Sequence, residues 1–125
     1  MALLGFEKQE RLKNKQDIDR LFSNGSRLME FPFIVIWDTR ETLNPSCKTA
    51  ISVPKKYISS AVLRNRIKRL FRECYRKQKS TLFNHLTDKH KQINLLFIYT
   101  NSEILSYPEM DAKISVTLQR LTKQL

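Results

Sequence analysis

From Lys91 to Asn101 the chain reads KQINLLFIYTN, a near-continuous apolar run with no polar alternation. A strand with one wet face alternates apolar and polar residues, whereas a strand covered on both faces does not. The run therefore predicts a strand buried on both sides. It also follows a long helical stretch, as the second strand of a parallel strand, helix, strand crossover would.

That helical stretch runs from about Ala61 to about Phe83, with Ser59 or Ser60 as its cap. Projected at ~100° per residue, Leu63, Ile67, Leu70, Phe71 and Cys74 gather on one side. Arg64, Lys68, Arg72, Arg76 and Lys79 gather opposite, with Asn65 and Arg69. Between Lys55 and Lys79 stand ten cations and one acid, Glu73. Like charges at i,i+4 cost a few tenths of a kcal/mol each, so a helix that needs only solubility mixes both signs. The stretch LRNRIKR (63–69) accepts that repulsion, which points to a surface for phosphates. Arginine suits planar, two-pronged contact with phosphate, and Asn65 adds a donor and an acceptor.

The whole chain shares the bias: 23 Lys+Arg against 12 Asp+Glu give a formal net charge of +11 over 125 residues. Nucleic acid is the default partner of such a chain, ahead of an anionic membrane surface. Hydrophobic residues at 41% suffice for a core, so the charge decorates a folded scaffold, expected as one domain over residues 1–125.

Asn14 to Phe22 reads as a short helix capped by Asn14, with Ile18, Leu21 and Phe22 on one face and Gly25 as its stop. Phe31 to Thr39 reads as a strand near an edge or just entering the sheet, because of Pro32. Phe33, Val35 and Trp37 share one face of it, and Ile34 and Ile36 the other. Glu41 to Ser46 forms a turn at Asn44-Pro45, and Cys47 to Val53 a second strand ended by Pro54, with a hairpin as the simplest connection. Ser106 and Glu109 form a capping box around Pro108. The last helix turns Met110, Ile114, Thr117 or Leu118, Leu121 and Leu125 inward.

Cys47 and Cys74 have no metal-ligand or redox spacing and read as packing thiols in a reducing compartment. Met1 to Phe6 is too short for a secretory h-region and no run approaches a membrane span, so the expected location is cytoplasmic.

Arg64-Asn65-Arg66-Ile67-Lys68-Arg69, preceded by Ala61-Val62-Leu63 and by Ser52-Val53-Pro54-Lys55-Lys56, resembles the arginine-asparagine-arginine signature of the bacterial ribonuclease P protein component. Arg11-Leu12-Lys13 and Asp17 through Gly25 are similar to that family's opening helix, and nearly the whole chain lines up. The resemblance implies a single-domain α/β sandwich of the α+β kind, with a roughly four-stranded mixed sheet and three helices. It also implies a left-handed strand, helix, strand crossover, where sequence rules alone favour the right-handed form found in about 98% of cases.

The resemblance further implies an accessory subunit, monomeric when alone, that joins a catalytic RNA. That RNA uses Mg²⁺ to remove the 5′ leader of precursor tRNA, and the protein supplies no catalytic residue. Arg64, Asn65, Arg66, Lys68 and Arg69 would contact the catalytic RNA and help place its metal ions. Lys55 and Lys56 would lie near RNA and substrate, and Arg72 and Arg76 extend the basic face. A cleft built from Ile18, Phe22, Ile36 and Ser52 would hold the single-stranded leader. Many relatives carry aromatics at the Ile18 and Ile36 positions, which leaves Phe22 with Phe33 or Trp37 as the stacking alternative. Tyr99-Thr100-Asn101 stands where relatives commonly place an arginine, so one RNA contact is either missing or replaced by Tyr99, and Tyr57 to Ser60 lacks a glycine that some relatives have. Two other classes compete: a general RNA-binding module, and a small nuclease using His85, His90 and nearby acids.

Overall fold

A computed structural model describes residues 10–125; the Met1 to Phe6 segment lies outside them. The elements are α1 (Lys15–Asn24), β1 (Ser26–Glu30), β2 (Phe33–Glu41), β3 (Ser46–Ser52), α2 (Ala61–Lys89), β4 (Lys91–Tyr99) and α3 (Tyr107–Gln124). They form an α+β fold of three helices on a four-stranded mixed sheet, in the strand order β1-β2-β4-β3. β4 pairs antiparallel with β2 and parallel with β3.

The apolar run becomes an interior strand, as its composition demands. Ile93, Leu95, Phe97 and Tyr99 face the main core under α2 and α3, while Leu96 joins a smaller core under α1. The same division holds for β2: Phe33, Val35 and Trp37 point to the main core and Ile36 to the smaller one. Phe97 meets Phe71 at 4.8 Å, Phe33 at 5.5 Å and Tyr75 at 6.1 Å, and Phe71 stacks on Tyr75 at 5.6 Å. These rings pin α2 to the sheet.

One expectation changes here. β2 and β3 are not a hairpin, because β4 lies between them. The strand apolar on both faces takes the interior, while β3, which carries Lys48 and Ser52, takes an edge. Pro32 sits in the turn before β2, so of the two placements expected for this strand the second holds: it enters the sheet just after the proline and runs inside it. β1 had no strong sequence signal: five residues with one buried side chain, Leu28. It forms by pairing with β2, and Arg120 of α3 holds it through the Met29 carbonyl at 2.8 Å and the Glu30 carboxylate at 2.9 Å.

The long helix runs past Phe83 to Lys89, about 44 Å in all, because Leu82 and Leu86 continue its buried side. It stops where His90 adopts the left-handed conformation (φ 54°) and donates its N–H to the Leu86 and Thr87 carbonyls. Ser60, rather than Ser59, is its cap. The capping box of Ser106 and Glu109 forms, and those hydrogen bonds hold the Glu109 carboxyl below its ordinary range.

Thr49 settles the hand of the crossover. Its hydroxyl reaches the Tyr75 hydroxyl on α2 at 2.8 Å, and its carbonyl accepts the Leu12 N–H at 3.0 Å on the edge away from β4. In a strand of L-residues running upward, a residue whose side chain faces the viewer points its backbone N–H and C=O to the right. Leu12 is then to the right of β3 and β4 to the left, with α2 in front. The crossover is left-handed, against the general rule.

Cys47 and Cys74 are free and buried, and burial pushes both thiols up to about 11. Gly25 ends α1 in extended backbone, where a Cβ would lie 2.5 Å from the Leu21 carbonyl oxygen and 2.7 Å from Ile36 Cγ2. Glycine is required there by close approach to the sheet. Gly25→Ala is expected to cost about 1–3 kcal/mol in urea unfolding; an unchanged midpoint would contradict this packing.

Candidate nucleic-acid interface

Ser52 ends β3, and Val53 to Ser60 carries the chain to the start of α2. Val53 and Ile58 are buried, and the N–H groups of Tyr57 and Ile58 donate to the Pro54 carbonyl at 3.2 Å. This compact turn leaves Lys55 and Lys56 exposed, with Lys56 over the Tyr57 ring.

Arg64 faces backward. Its guanidinium donates to the carbonyls of Ile58 at 2.9 Å and Ser59 at 2.8 Å, clamping this turn onto the first turn of α2. Asn65, Arg66, Arg69 and Arg72 are exposed, and Lys68 is half-buried. Arg76 is half-buried and paired with Glu73, while Lys77 is exposed and bonded to the Tyr107 hydroxyl, which raises its pKa.

Lys79 departs from the expected stripe. Only 1% exposed, it meets the Glu10 carboxylate at 2.6 Å and lies over the Phe83 ring. Its place is structural: it ties the segment before α1 to the far half of α2. The buried side of α2 drifts along its length, from Ile67 and Cys74 to Lys79, Leu82 and Leu86. A stripe drawn straight along the helix therefore runs into the core.

The basic face has two flanks. On one, Arg72 borders a depression of about 250 Å³ at the outer edge of β3, together with Arg11 and Lys13. Sequence reasoning did not assign these two cations to the interface. Their signal was an Arg-Leu-Lys triplet with an apolar centre, and Leu12 is indeed buried against the sheet. On the other flank, Arg66 and Arg69 border a groove of about 400 Å³ with Leu70, Glu73 and Ile104.

The α1 face of the sheet holds the cleft candidates. Ile36 is fully buried in the small core with Leu12, Leu21 and Leu96, and Ile18 packs half-buried against it. The strand register instead lays a row of Met29, Ile34, Ile98 and Ser52 across all four strands. Met29 is 71% exposed and the other three are half-buried. Phe22, at 49% exposure near the end of α1, is the one aromatic among the four cleft candidates. Phe33 and Trp37 cannot substitute as stacking surfaces, because both are buried on the opposite face. Tyr99 cannot replace an exposed arginine either: it is fully buried and its hydroxyl donates to the Glu103 carbonyl at 2.6 Å.

Ser52 and Ile98 lie at the ends of β3 and β4 from which the chain leaves for α2 and α3. The open row and the start of the basic helix therefore share one end of the molecule.

The sequence model of the family Ribonuclease P matches residues 6–122. The chain belongs to the ribonuclease P protein family. It is 28% identical over 121 residues to the ribonuclease P protein component of Porphyromonas gingivalis, covering 96% of this chain and 88% of that one. Its fold is similar to the RNase P protein of Staphylococcus aureus, with TM-score 0.67 at 25% identity over 90% of this chain and 94% of that one. The RNase P protein of Thermotoga maritima gives TM-score 0.66 at 25% identity, covering 89% and 96%. Ile18 and Ile36 fall on the small core rather than on an open surface.

Among the described residues no three His, Cys, Asp or Glu side chains come together as a metal site, and no helix is long and apolar enough to cross a membrane. His90 caps α2, and His85 lies within its last two turns with Nε2 buried and without a hydrogen-bond partner.

Arg64 and Arg66 separate by experiment. Arg64→Ala is expected to lower stability by about 1 kcal/mol in urea titrations, because two backbone carbonyls lose their donor. Arg66→Ala leaves stability within about 0.5 kcal/mol and weakens RNA binding in a filter assay by about 1–3 kcal/mol. The opposite pattern would reverse the two roles.

Proposed function

We propose that the chain is the protein subunit of a bacterial ribonuclease P, binding both the catalytic RNA and the 5′ leader of precursor tRNA. The observation that carries this reading is the exposed basic start of α2 in a chain of this family, with Asn65, Arg66, Arg69 and Arg72 presented together beside Lys55 and Lys56. Phosphate neutralisation there releases condensed counterions, and each phosphate contact steepens the salt slope, by roughly 0.7 on single strands and roughly 0.9 on B-form duplex DNA.

In this reading Arg66, Lys68, Arg69 and Arg72 hold RNA phosphates, with Arg76 extending the face. Asn65 bonds to a base or ribose edge, and Arg64 keeps the turn carrying Lys55 and Lys56 in place. The row of Met29, Ile34, Ile98 and Ser52, with Phe22 beside it, receives the unpaired leader. Apolar floors of this kind accept any base, which suits leaders of varied sequence. The isoleucines give less stacking than aromatics do, so phosphate contact carries more of the leader affinity.

The RNA subunit performs the Mg²⁺-dependent hydrolysis. The basic face does not fit a magnesium cage: it is cationic, and Glu73, the one acid between Lys55 and Lys79, is paired with Arg76. The chain works in the cytoplasm as a monomer that joins the RNA. Its contribution is to hold two anionic partners side by side and to lower the Mg²⁺ needed to bring them together.

Precursor-tRNA cleavage at low Mg²⁺ tests this. The catalytic RNA with the protein is expected to release the 5′ leader, while either alone is nearly inactive. Cleavage by the protein alone would make it a nuclease, and RNA binding without stimulation would leave a general RNA-binding module.

A further inference from the structure

The groove on the Arg66 flank is poorly explained as a phosphate surface alone. It places Glu73, the single acid among ten cations from Lys55 to Lys79, beside Arg66 and Arg69, over Leu70 and Ile104. A carboxylate repels phosphate, and the apolar floor offers phosphate nothing. Both features suit the face and edge of a nucleobase.

The groove is also preformed. Ile104 belongs to the segment between β4 and α3, which is held by the Tyr99 hydroxyl on the Glu103 carbonyl at 2.6 Å and by the Glu103 N–H on Asn101 Oδ1 at 3.4 Å. Ser106 then caps α3. Leu70 and Ile104 both pack against the main core, so the floor stays in place when the groove is empty. Glu73 accepts from Arg76 through Oε1 and has Lys77 at 4.0 Å from the same oxygen. Each carboxylate oxygen has two lone pairs, so capacity remains for a ligand. Its volume of about 400 Å³ falls within the range of small-ligand sites.

We infer that this groove is a base-reading subsite that takes one unpaired guanine of an RNA strand. A bound base lies on Leu70 and Ile104, and the guanidinium planes of Arg66 and Arg69 cover it or hold its flanking phosphates. Glu73 accepts hydrogen bonds from the Watson–Crick edge. Guanine alone presents two parallel donors there, N1–H and the 2-amino group, to the two oxygens of a carboxylate. Adenine and cytosine offer one amino group, and uracil a single N3–H between two carbonyls that the carboxylate repels. The basic face would thus read a base as well as track a backbone. This inference rests on the proposed RNA-binding function.

The test is fluorescence anisotropy of the full-length chain with labelled pentaribonucleotides UUXUU, where X is G, A, C or U, at one fixed salt concentration and then across a salt series. The G-containing strand is expected to bind at least about fivefold more tightly than the others, the low end for a bidentate base contact. Glu73→Gln is expected to erase that preference without weakening binding of UUUUU, because the variant removes a charge that repels phosphate. Ile104→Ala is expected to weaken the G strand more than UUUUU. Equal binding of all four strands, or a preference that survives Glu73→Gln, would overturn the subsite while leaving the RNA-binding reading intact. Absence of any salt-dependent binding to all four would overturn both.

Discussion

The packing of Phe71 and Tyr75 on Phe33 and Phe97 is the interaction on which the rest of the structure depends. It sets the long helix across β3 and β4, with Phe33 of β2 reaching Phe71, and the helix then displays charge only on what the sheet leaves uncovered. Buried aromatic pairs contribute through area and through edge-to-face geometry, so they fix rotation about the helix axis as well as its position. With that rotation set, Arg66, Arg69 and Arg72 face water and Lys79 does not. β2 and β3 pair with the two edges of β4 while helices cover its two faces, and it is the placement of α2 on the Thr49 side chain's face that makes the crossover left-handed.

The cations of α2 do three different jobs. Arg64 is spent on two backbone carbonyls, and Lys79 is paired with Glu10 away from solvent. Arg66, Arg69 and Arg72 stay exposed to solvent. A buried ion pair such as Lys79 with Glu10 adds little net stability, since desolvation offsets much of the attraction. Its effect is positional: with the Leu12 N–H donated to the Thr49 carbonyl, it sets the segment that places Arg11 and Lys13 beside Arg72. This cationic flank is therefore assembled from two distant parts of the chain.

The α1 face shows how a small core and an open row divide one sheet surface. Gly25 lets α1 approach Ile36 closely, which seals Ile36, Leu21 and Leu96 together. The next row along the strands, from Met29 to Ser52, lies outside that seal and opens toward the start of α2. The half-open row and the basic helix thus converge without any loop insertion, through strand register and the shared end of β3 and β4.

Local signals in the sequence determined much of this protein. The double-faced burial of β4, the two faces of β2, the caps at Asn14, Ser60 and Ser106, and the basic side of α2 are all written in residues close together along the chain. These are one-dimensional patterns of burial and charge, and neighbouring residues suffice to state them. The arginine-asparagine-arginine run also pointed to the family, which the family-wide match then established. Tertiary structure decided what depends on distant partners. β4 was inserted between β2 and β3, and β1 formed only because β2 offered it an edge. Arg64 and Lys79 were taken from the basic stripe, and Ile36, Phe33, Trp37 and Tyr99 were closed off from any ligand. A side chain's exposure is set by which elements pack over it, and the drift of a 29-residue helix against a twisted sheet cannot be read from the spacing of its own residues.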